Sequence, residues 1–380
     1  MKIIVISDSF KGTLSSGRIC EIAGNCIAKT FPECQVIAVP VADGGEGTVD
    51  CFAAVCEGEK ITVTVNDSYN QPIRAAYLKL NNGSAIIEMA SSSGLPQVGD
   101  NKNPAETSTY GVGQQIRHAI ASGCDKIFVG LGGSSTNDGG CGCAAALGVK
   151  FYDRSGNSFI PVGGTLDKID KIDISECAEL LKNVSITAMC DIDNPMHGPR
   201  GAAYVFAPQK GADDEMVIFL DNQLRSLDKA IEKNLGVSVA EVPGSGAAGA
   251  FGAGMLAFFG AELKSGIETV LDVIGFDKML QGCDFVFTGE GRLDCQSIDG
   301  KVICGVAKRA KAQKVPVIVI AGAVDEAVEE SKAVGELGVT AVFSINRKAQ
   351  DFSEARLHSE ENYRYTMNNI LQLIGCLREF

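Results

Sequence analysis

Six apolar runs in this chain stop abruptly in clusters of Gly, Asp, Glu, Ser or Thr, and that recurrence restricts the fold more than any other feature. Ile3-Ile4-Val5-Ile6 runs into Ser7-Asp8-Ser9-Phe10-Lys11-Gly12, and Val36 to Val41 into Asp43-Gly44-Gly45-Glu46-Gly47-Thr48. Ile127-Phe128-Val129 meets the glycine-rich stretch Gly130 to Gly140, and Ile186 to Met189 meets Asp191-Ile192-Asp193-Asn194. Phe285-Val286-Phe287 leads to Gly289-Glu290-Gly291-Arg292-Leu293-Asp294, and Val317 to Ile320 leads to Ala321-Gly322-Ala323. Short β-rich runs without polar alternation read as strands covered on both faces, the condition of a parallel sheet flanked by helices. Such sheets take ligands beyond the carboxyl ends of their strands. The acids and glycines are therefore expected along a common rim.

At 380 residues the chain exceeds the usual size of one domain, and two are expected. A formal charge of −13 opposes nucleic acid and anionic membrane as partners. It leaves phosphate ligands open, because a single loop can be electropositive in an acidic protein. The N-terminal apolar run is too short for a signal peptide, and no run approaches a membrane span. A cytoplasmic protein is expected, as monomer or homodimer. The 14 cysteines lie mostly within apolar or small-residue stretches and form no C-x-x-C pair, so they read as buried thiols. With only 3 histidines a His-based zinc site is disfavoured.

Residues 1 to 58 read as strand, helix, strand, helix, with the Ser15-Ser16 pair capping a helix that carries Ile19, Ile22, Ala23, Cys26 and Ile27 at helical spacing. From Ile61 the pattern changes. Ile61, Val63 and Val65 alternate with Thr62 and Thr64, a polar turn spans Asn66 to Pro72, and Asn82-Gly83 precedes Ala85 to Met89, which predicts antiparallel hairpins. The strand–helix alternation resumes near Asp284, and an amphipathic helix over Glu354 to Leu377 is expected to close the fold. Hence residues 1–60 plus 265–380 are expected to form a discontinuous α/β domain, and 61–264 an inserted one, with the active site in the cleft between them.

Gly130-Leu131-Gly132-Gly133-Ser134-Ser135-Thr136-Asn137-Asp138-Gly139-Gly140 follows a strand and precedes a small-residue helix. Unpaired N–H groups, a helix start and hydroxyl donors together suit a phosphate. No Walker A sequence occurs. Gly244-Ser245-Gly246-Ala247-Ala248-Gly249 matches the dinucleotide fingerprint only formally, since Pro243 interrupts its entry; close helix packing is the expected role. Lys11 can offer a point charge to a phosphoryl group, with Asp8 and Ser9 beside it for metal or a substrate hydroxyl. Asp43, Glu46, Asp191, Asp193, Glu290 and Asp294 supply up to six carboxylates at strand ends, for which Mg²⁺ is the expected counterion. Asp191, leaving its strand toward the rigid Pro195 turn, is the favoured general base. Arg200 or Lys210 could clamp a carboxylate, and His197 stands as either a turn residue or a proton carrier.

Taken together, Asp8-Ser9-Phe10-Lys11-Gly12, Ala42-Asp43-Gly44-Gly45-Glu46-Gly47-Thr48, Gly132 to Gly140, Asp191-Ile192-Asp193-Asn194-Pro195, Pro208-Gln209-Lys210-Gly211-Ala212 and Thr288 to Asp294 resemble the bacterial glycerate kinase family of the first type. The resemblance runs over essentially the whole chain. It implies ATP- and Mg²⁺-dependent phosphorylation of D-glycerate, most often to 2-phosphoglycerate, on a Rossmann-like parallel-sheet domain with an inserted second α/β domain. Gly132, Gly133, Ser134, Ser135, Thr136 and Asn137 would then cradle the ATP phosphates, and Lys11 and Asp8 would join Asp191 in catalysis. Asp43, Glu290 or Asp294 would hold Mg²⁺; Ser9, Arg200, Lys210 and Asp294 are the candidates for contacts to glycerate. Phosphorylation at oxygen 3, an NAD(P)-dependent hydroxy-acid oxidoreductase and a catalytically silent sensor are the competing readings.

Overall fold

The computed structural model describes residues 1–41, 45, 47–294, 302–326, 333–348 and 351–378. The chain divides into two compact units, the first made of Met1–Asp43, Asp50–Cys56 and Gly266–Phe380, the second of Gly44–Val49 and Glu57–Ser265. Residues 44–49, expected with the first domain, thus cluster with the second.

In the first unit five parallel strands lie in the order Val339–Ser344, Val317–Val324, Phe285–Leu293, Lys2–Ser7, Gln35–Pro40. Counted along this unit the order is 5-4-3-1-2, so the winding reverses between Lys2–Ser7 and Phe285–Leu293. A crevice for ligands opens at such a reversal. The inner strands are apolar throughout because both faces are covered; Ile3, Ile4, Val5 and Ile6 are fully buried. Helix Ser16–Thr30 starts where Ser15 accepts a bond from the Arg18 N–H and buries Ile19, Ile22, Ala23, Cys26 and Ile27. Against it packs helix Ser359–Arg378 through Tyr363, Met367, Ile370, Leu371 and Ile374. That helix begins five residues later than the periodicity suggests, after the separate short turn Phe352–Ala355 and a 3₁₀ segment, Arg356–His358.

Gly289 to Leu293, read from sequence as loop, are strand. Their pairing with Ile320 to Val324 continues through the polar motif because glycine lets the backbones meet: a Cβ on Gly289 would lie 2.0 Å from the Ile320 carbonyl oxygen.

The second unit carries a six-stranded mixed sheet in the order Glu262–Lys264, Ser185–Met189, Lys126–Gly130, Ser84–Glu88, Pro72–Leu80, Gly58–Asn66. The first four run parallel; the last two form the hairpin that the alternation at Ile61 to Val65 predicts, paired over its full length. A small antiparallel sheet, Ser158–Phe159, Lys150–Tyr152 and Lys171–Asp173, flanks it. No described helix is long and apolar enough to cross a membrane.

Candidate active site

In the first unit, the strand ends on either side of the winding reversal bring Asp8, Ser9 and Lys11 together with Glu290 and Asp294 on one pocket of about 650 Å³. The two ends are tied at the backbone: the Asp8 N–H donates to the Gly289 carbonyl at 3.0 Å, and the Ser7 hydroxyl donates to the same oxygen at 3.0 Å. The Asp8 carboxylate accepts from the Ser9 N–H at 2.6 Å, which fixes its direction. Glu290 is buried, Lys11 exposed. Arg292, on the same pocket, is engaged by Asp325 through two bonds of 2.8 and 3.1 Å. Asp43 lies outside the described residues, as do Glu46 and 295–301.

The carboxyl ends of the second unit's parallel strands gather Glu88, Gly130 and the Asp191 turn. Strand register sets Glu88 and Met189 each opposite Gly130. Asp191 accepts a 2.6 Å bond from the Ser265 hydroxyl, just past the neighbouring strand. Glu88, which sequence reading passed over, accepts from the Val49 N–H at 2.5 Å and so anchors the start of helix Thr48–Val55. An acid closing an apolar strand was the signal that would have found it.

Beyond Gly130 the glycine loop turns inward. The Ser135 hydroxyl contacts Ser68 Oγ at 2.7 Å and donates to the Ser93 carbonyl at 3.0 Å, while the Thr107 hydroxyl donates to the Ser135 carbonyl at 2.9 Å. Asp138 is fully buried and accepts from the Thr109 N–H and hydroxyl, each at 2.8 Å, and from the Gly140 and Gly142 N–H groups, each at 3.1 Å. Burial pushes its carboxyl up, against the pull of those bonds. Only Gly132 and Gly133 of the expected cradle retain solvent access; Ser134, Ser135, Thr136 and Asn137 are buried. The Ser134, Ser135, Thr136 and Asn137 side chains thus face the interior, and only the two glycines expose backbone at this loop. The Thr136 hydroxyl and both ends of the Asn137 amide have no hydrogen-bond partner among the described residues.

Lys210 differs most from expectation. Instead of standing in solvent to meet a carboxylate, it is 2 % exposed, with its ammonium donating to Ser134 Oγ at 2.8 Å and to the Thr136 carbonyl at 2.7 Å. The 3₁₀ turn Pro208–Lys210, ended by Gly211 at φ 98°, directs it inward. Burial pushes its pKa down to about 7, with the Asp138 charge pulling the other way. Lys210 cannot reach a carboxylate in solvent because its head group is enclosed by the loop it holds. Arg200 stays at the surface, its side chain 71 % exposed and 3.2 Å from Asp193. His197 bonds Asp228 at 3.0 Å, and the adjoining Gly198 N–H donates to Asp221 at 2.6 Å. Both bonds tie the 194–201 turn to helix Asp214–Leu235, so His197 acts as a turn residue.

Gly244 to Gly249 packs under this loop. A Cβ on Gly246 would sit 2.2 Å from the Pro195 carbonyl oxygen, and one on Gly249 would sit 2.0 Å from that of Thr136. The consecutive residues Ala248, Gly249 and Ala250 all hold positive φ, 56°, 68° and 66°. Left-handed alanine costs about 1–2 kcal/mol apiece, strain that persists only where packing imposes it. The segment is thus a close-packed brace, and its glycines have no room for a dinucleotide. Gly249→Ala is expected to destabilise the protein by more than about 3 kcal/mol, combining left-handed strain with an overpacked contact; urea unfolding midpoints check it.

The glycerate kinase family model matches residues 3–375. This chain belongs to the glycerate kinase family. Among its relatives, "Glycerate kinase" of Bacillus cereus is 42% identical over 372 residues, covering 97% of both chains. "Glycerate 2-kinase" of Escherichia coli K12 is 41% identical over the same length and coverage. A crystal structure assigned to glycerate kinase 2 of Salmonella typhimurium LT2 aligns with a TM-score of 0.88 at 38% identity, covering 100% of each chain.

As a member of the glycerate kinase family the chain carries its motifs on two strand-end rims, one in each unit. The dinucleotide reading finds no support in them. The residues that sequence reading missed are Glu88, Ser68 and Thr107, which anchor the rim of the second unit, and Phe352 and Arg356, which line the pocket of the first; Asp138 was read only as part of the loop motif.

Proposed function

We propose that this chain is a glycerate 2-kinase, transferring the γ-phosphoryl group of ATP to the 2-hydroxyl of D-glycerate to give 2-phosphoglycerate and ADP. The observation that carries the reading is 41% identity, over 97% of both chains, to a protein named glycerate 2-kinase. Oxygen 2 attacks the γ-phosphorus while the bond to the β,γ-bridging oxygen breaks, and its electron pair leaves with ADP. The hydroxyl proton passes to Asp191, oriented by Ser265. Lys11 faces the travelling charge, the exposed backbone of Gly132 and Gly133 meets the phosphates, and Arg200 takes the glycerate carboxylate. Ser9 and Asp8 orient the substrate groups at the first rim, with Asp294 beside them.

Among the described residues no group of three or more His, Cys, Asp or Glu is placed to hold a metal ion. Mg²⁺ delivered with the nucleotide needs only one or two protein carboxylates beside the phosphate oxygens, and Asp8, Glu290 and Asp294 line the pocket of the first unit. Glu290 and Asp43 would provide them, and the ion would offset phosphate charge. A cytoplasmic location is part of the reading, supported by described cysteines that are all free thiols.

Phosphorus NMR of the product from D-glycerate, ATP and Mg²⁺ tests the assignment. Phosphate on oxygen 2 couples to one carbon-bound proton and gives a doublet; phosphate on oxygen 3 couples to two and gives a triplet. A triplet replaces the regiochemistry, and absence of product overturns the activity. Lys11→Met is expected to lower kcat about 100-fold through loss of transition-state charge stabilisation; an unchanged steady-state rate rejects that role.

A further inference from the structure

We propose that the 650 Å³ pocket of the first unit holds the nucleoside half of the phosphoryl donor, with the base stacked on Phe352. The assignment rests on the kinase reading above and names a subsite for its nucleotide. Three observations bear on it. The pocket opens where the sheet winding reverses, between the ends of Lys2–Ser7 and Phe285–Leu293. Its volume lies within the range that encloses drug-sized ligands, far more than a three-carbon acid fills. Phe352, on its wall, is 64% exposed, a large ring left facing water.

The Gly12 turn lies next to the ring tip: a Cβ on Gly12 would be 3.9 Å from Phe352 Cζ, and Gly12 holds φ 79°, a conformation that side chains rarely adopt. Glycerate has no planar face to stack, whereas any purine has one, and base–aromatic stacking is indifferent to which base is offered. Arg356, exposed on the same wall, has no ion-pair or hydrogen-bond partner among the described residues. Lys11 lines the pocket as well. Asp8, Glu290 and Asp294 line the pocket too and balance these cations, so the stacking surface and not net charge carries the assignment.

The chain contains no Trp, so Phe352→Trp introduces a single indole, whose emission can be excited apart from that of the 7 Tyr. Its emission is expected to change saturably with ADP and to ignore D-glycerate. In steady state, Phe352→Ala is expected to raise KM for ATP about tenfold, the loss of roughly one base-stacking contact, with KM for D-glycerate retained. An indole signal blind to ADP, or one that follows D-glycerate alone, overturns the assignment, as does an unchanged KM for ATP. The two proposals separate cleanly. If the wild-type protein makes no phosphoglycerate yet the introduced indole reports ADP, the acceptor is wrong and the pocket assignment stands; if turnover is normal and the indole is silent to ADP, the pocket assignment alone fails.

Discussion

Lys210→Met lowers turnover about 100-fold, the scale expected when a catalytic loop shifts by about 1 Å, while the protein still folds. Two opposing effects set the stability outcome. Methionine leaves the Thr136 carbonyl and the Ser134 hydroxyl without their donor, at about 1–3 kcal/mol for each buried group left unsatisfied. Removing an enclosed ammonium relieves a desolvation penalty of comparable size, the same penalty that pushes the Lys210 pKa down to about 7. The two nearly cancel. Activity has no such compensation, because Lys210 joins Ser134 to Thr136 and so holds the loop that continues from Gly132 and Gly133. Assays of kcat beside thermal unfolding separate the effects; a variant with full turnover removes Lys210 from the site's support.

The same lysine gives a pH signature. Its native value of about 7 lies below the ordinary 10.5, so between them the unfolded chain binds a proton that the native protein has released. Stability from this group therefore rises with pH across that window. Below about 7 both states are protonated and its slope vanishes. Lys210→Met should lose this slope in urea titrations run from about pH 6 to about pH 9.

Asp191→Asn should reduce kcat by about 100- to 10,000-fold, the range spanned by positioned general bases. The amide retains the carboxylate's shape but cannot take the hydroxyl proton at neutral pH, so KM for D-glycerate should move far less than kcat. Ser265→Ala is a milder version. It leaves the base present and removes its 2.6 Å bond, and should cost roughly tenfold, since orientation and not proton affinity is lost. Equal rates for Asp191→Asn and wild type would assign the proton to another group.

The parts of the fold visible in the sequence share one property: their pattern is enforced locally. Lys2–Ser7 and Val317–Val324 read as buried strands because each inner strand of a parallel sheet must be apolar on both faces. The Gly58–Asn66 and Pro72–Leu80 hairpin reads from alternation, and Ser16–Thr30 from helical spacing. Gly289 to Leu293 misled because glycine and charge usually mark a loop. Here the glycines exist so that a strand can run close beside its neighbour.

Which residue types form the site was thus determined by the sequence alone, along with the strand ends that carry them and the kinase family they spell. Tertiary structure decided which of them face solvent and which face the interior. Lys210 meets Ser134 and Thr136 from 76 and 74 positions away, and Phe352 joins Asp8 on one pocket wall from the far end of the chain. Such encounters depend on how packed layers bring distant backbone together, and a one-dimensional pattern of polarity holds no record of that distance. A lysine therefore looks the same in the sequence whether it ends in water or beneath a glycine loop.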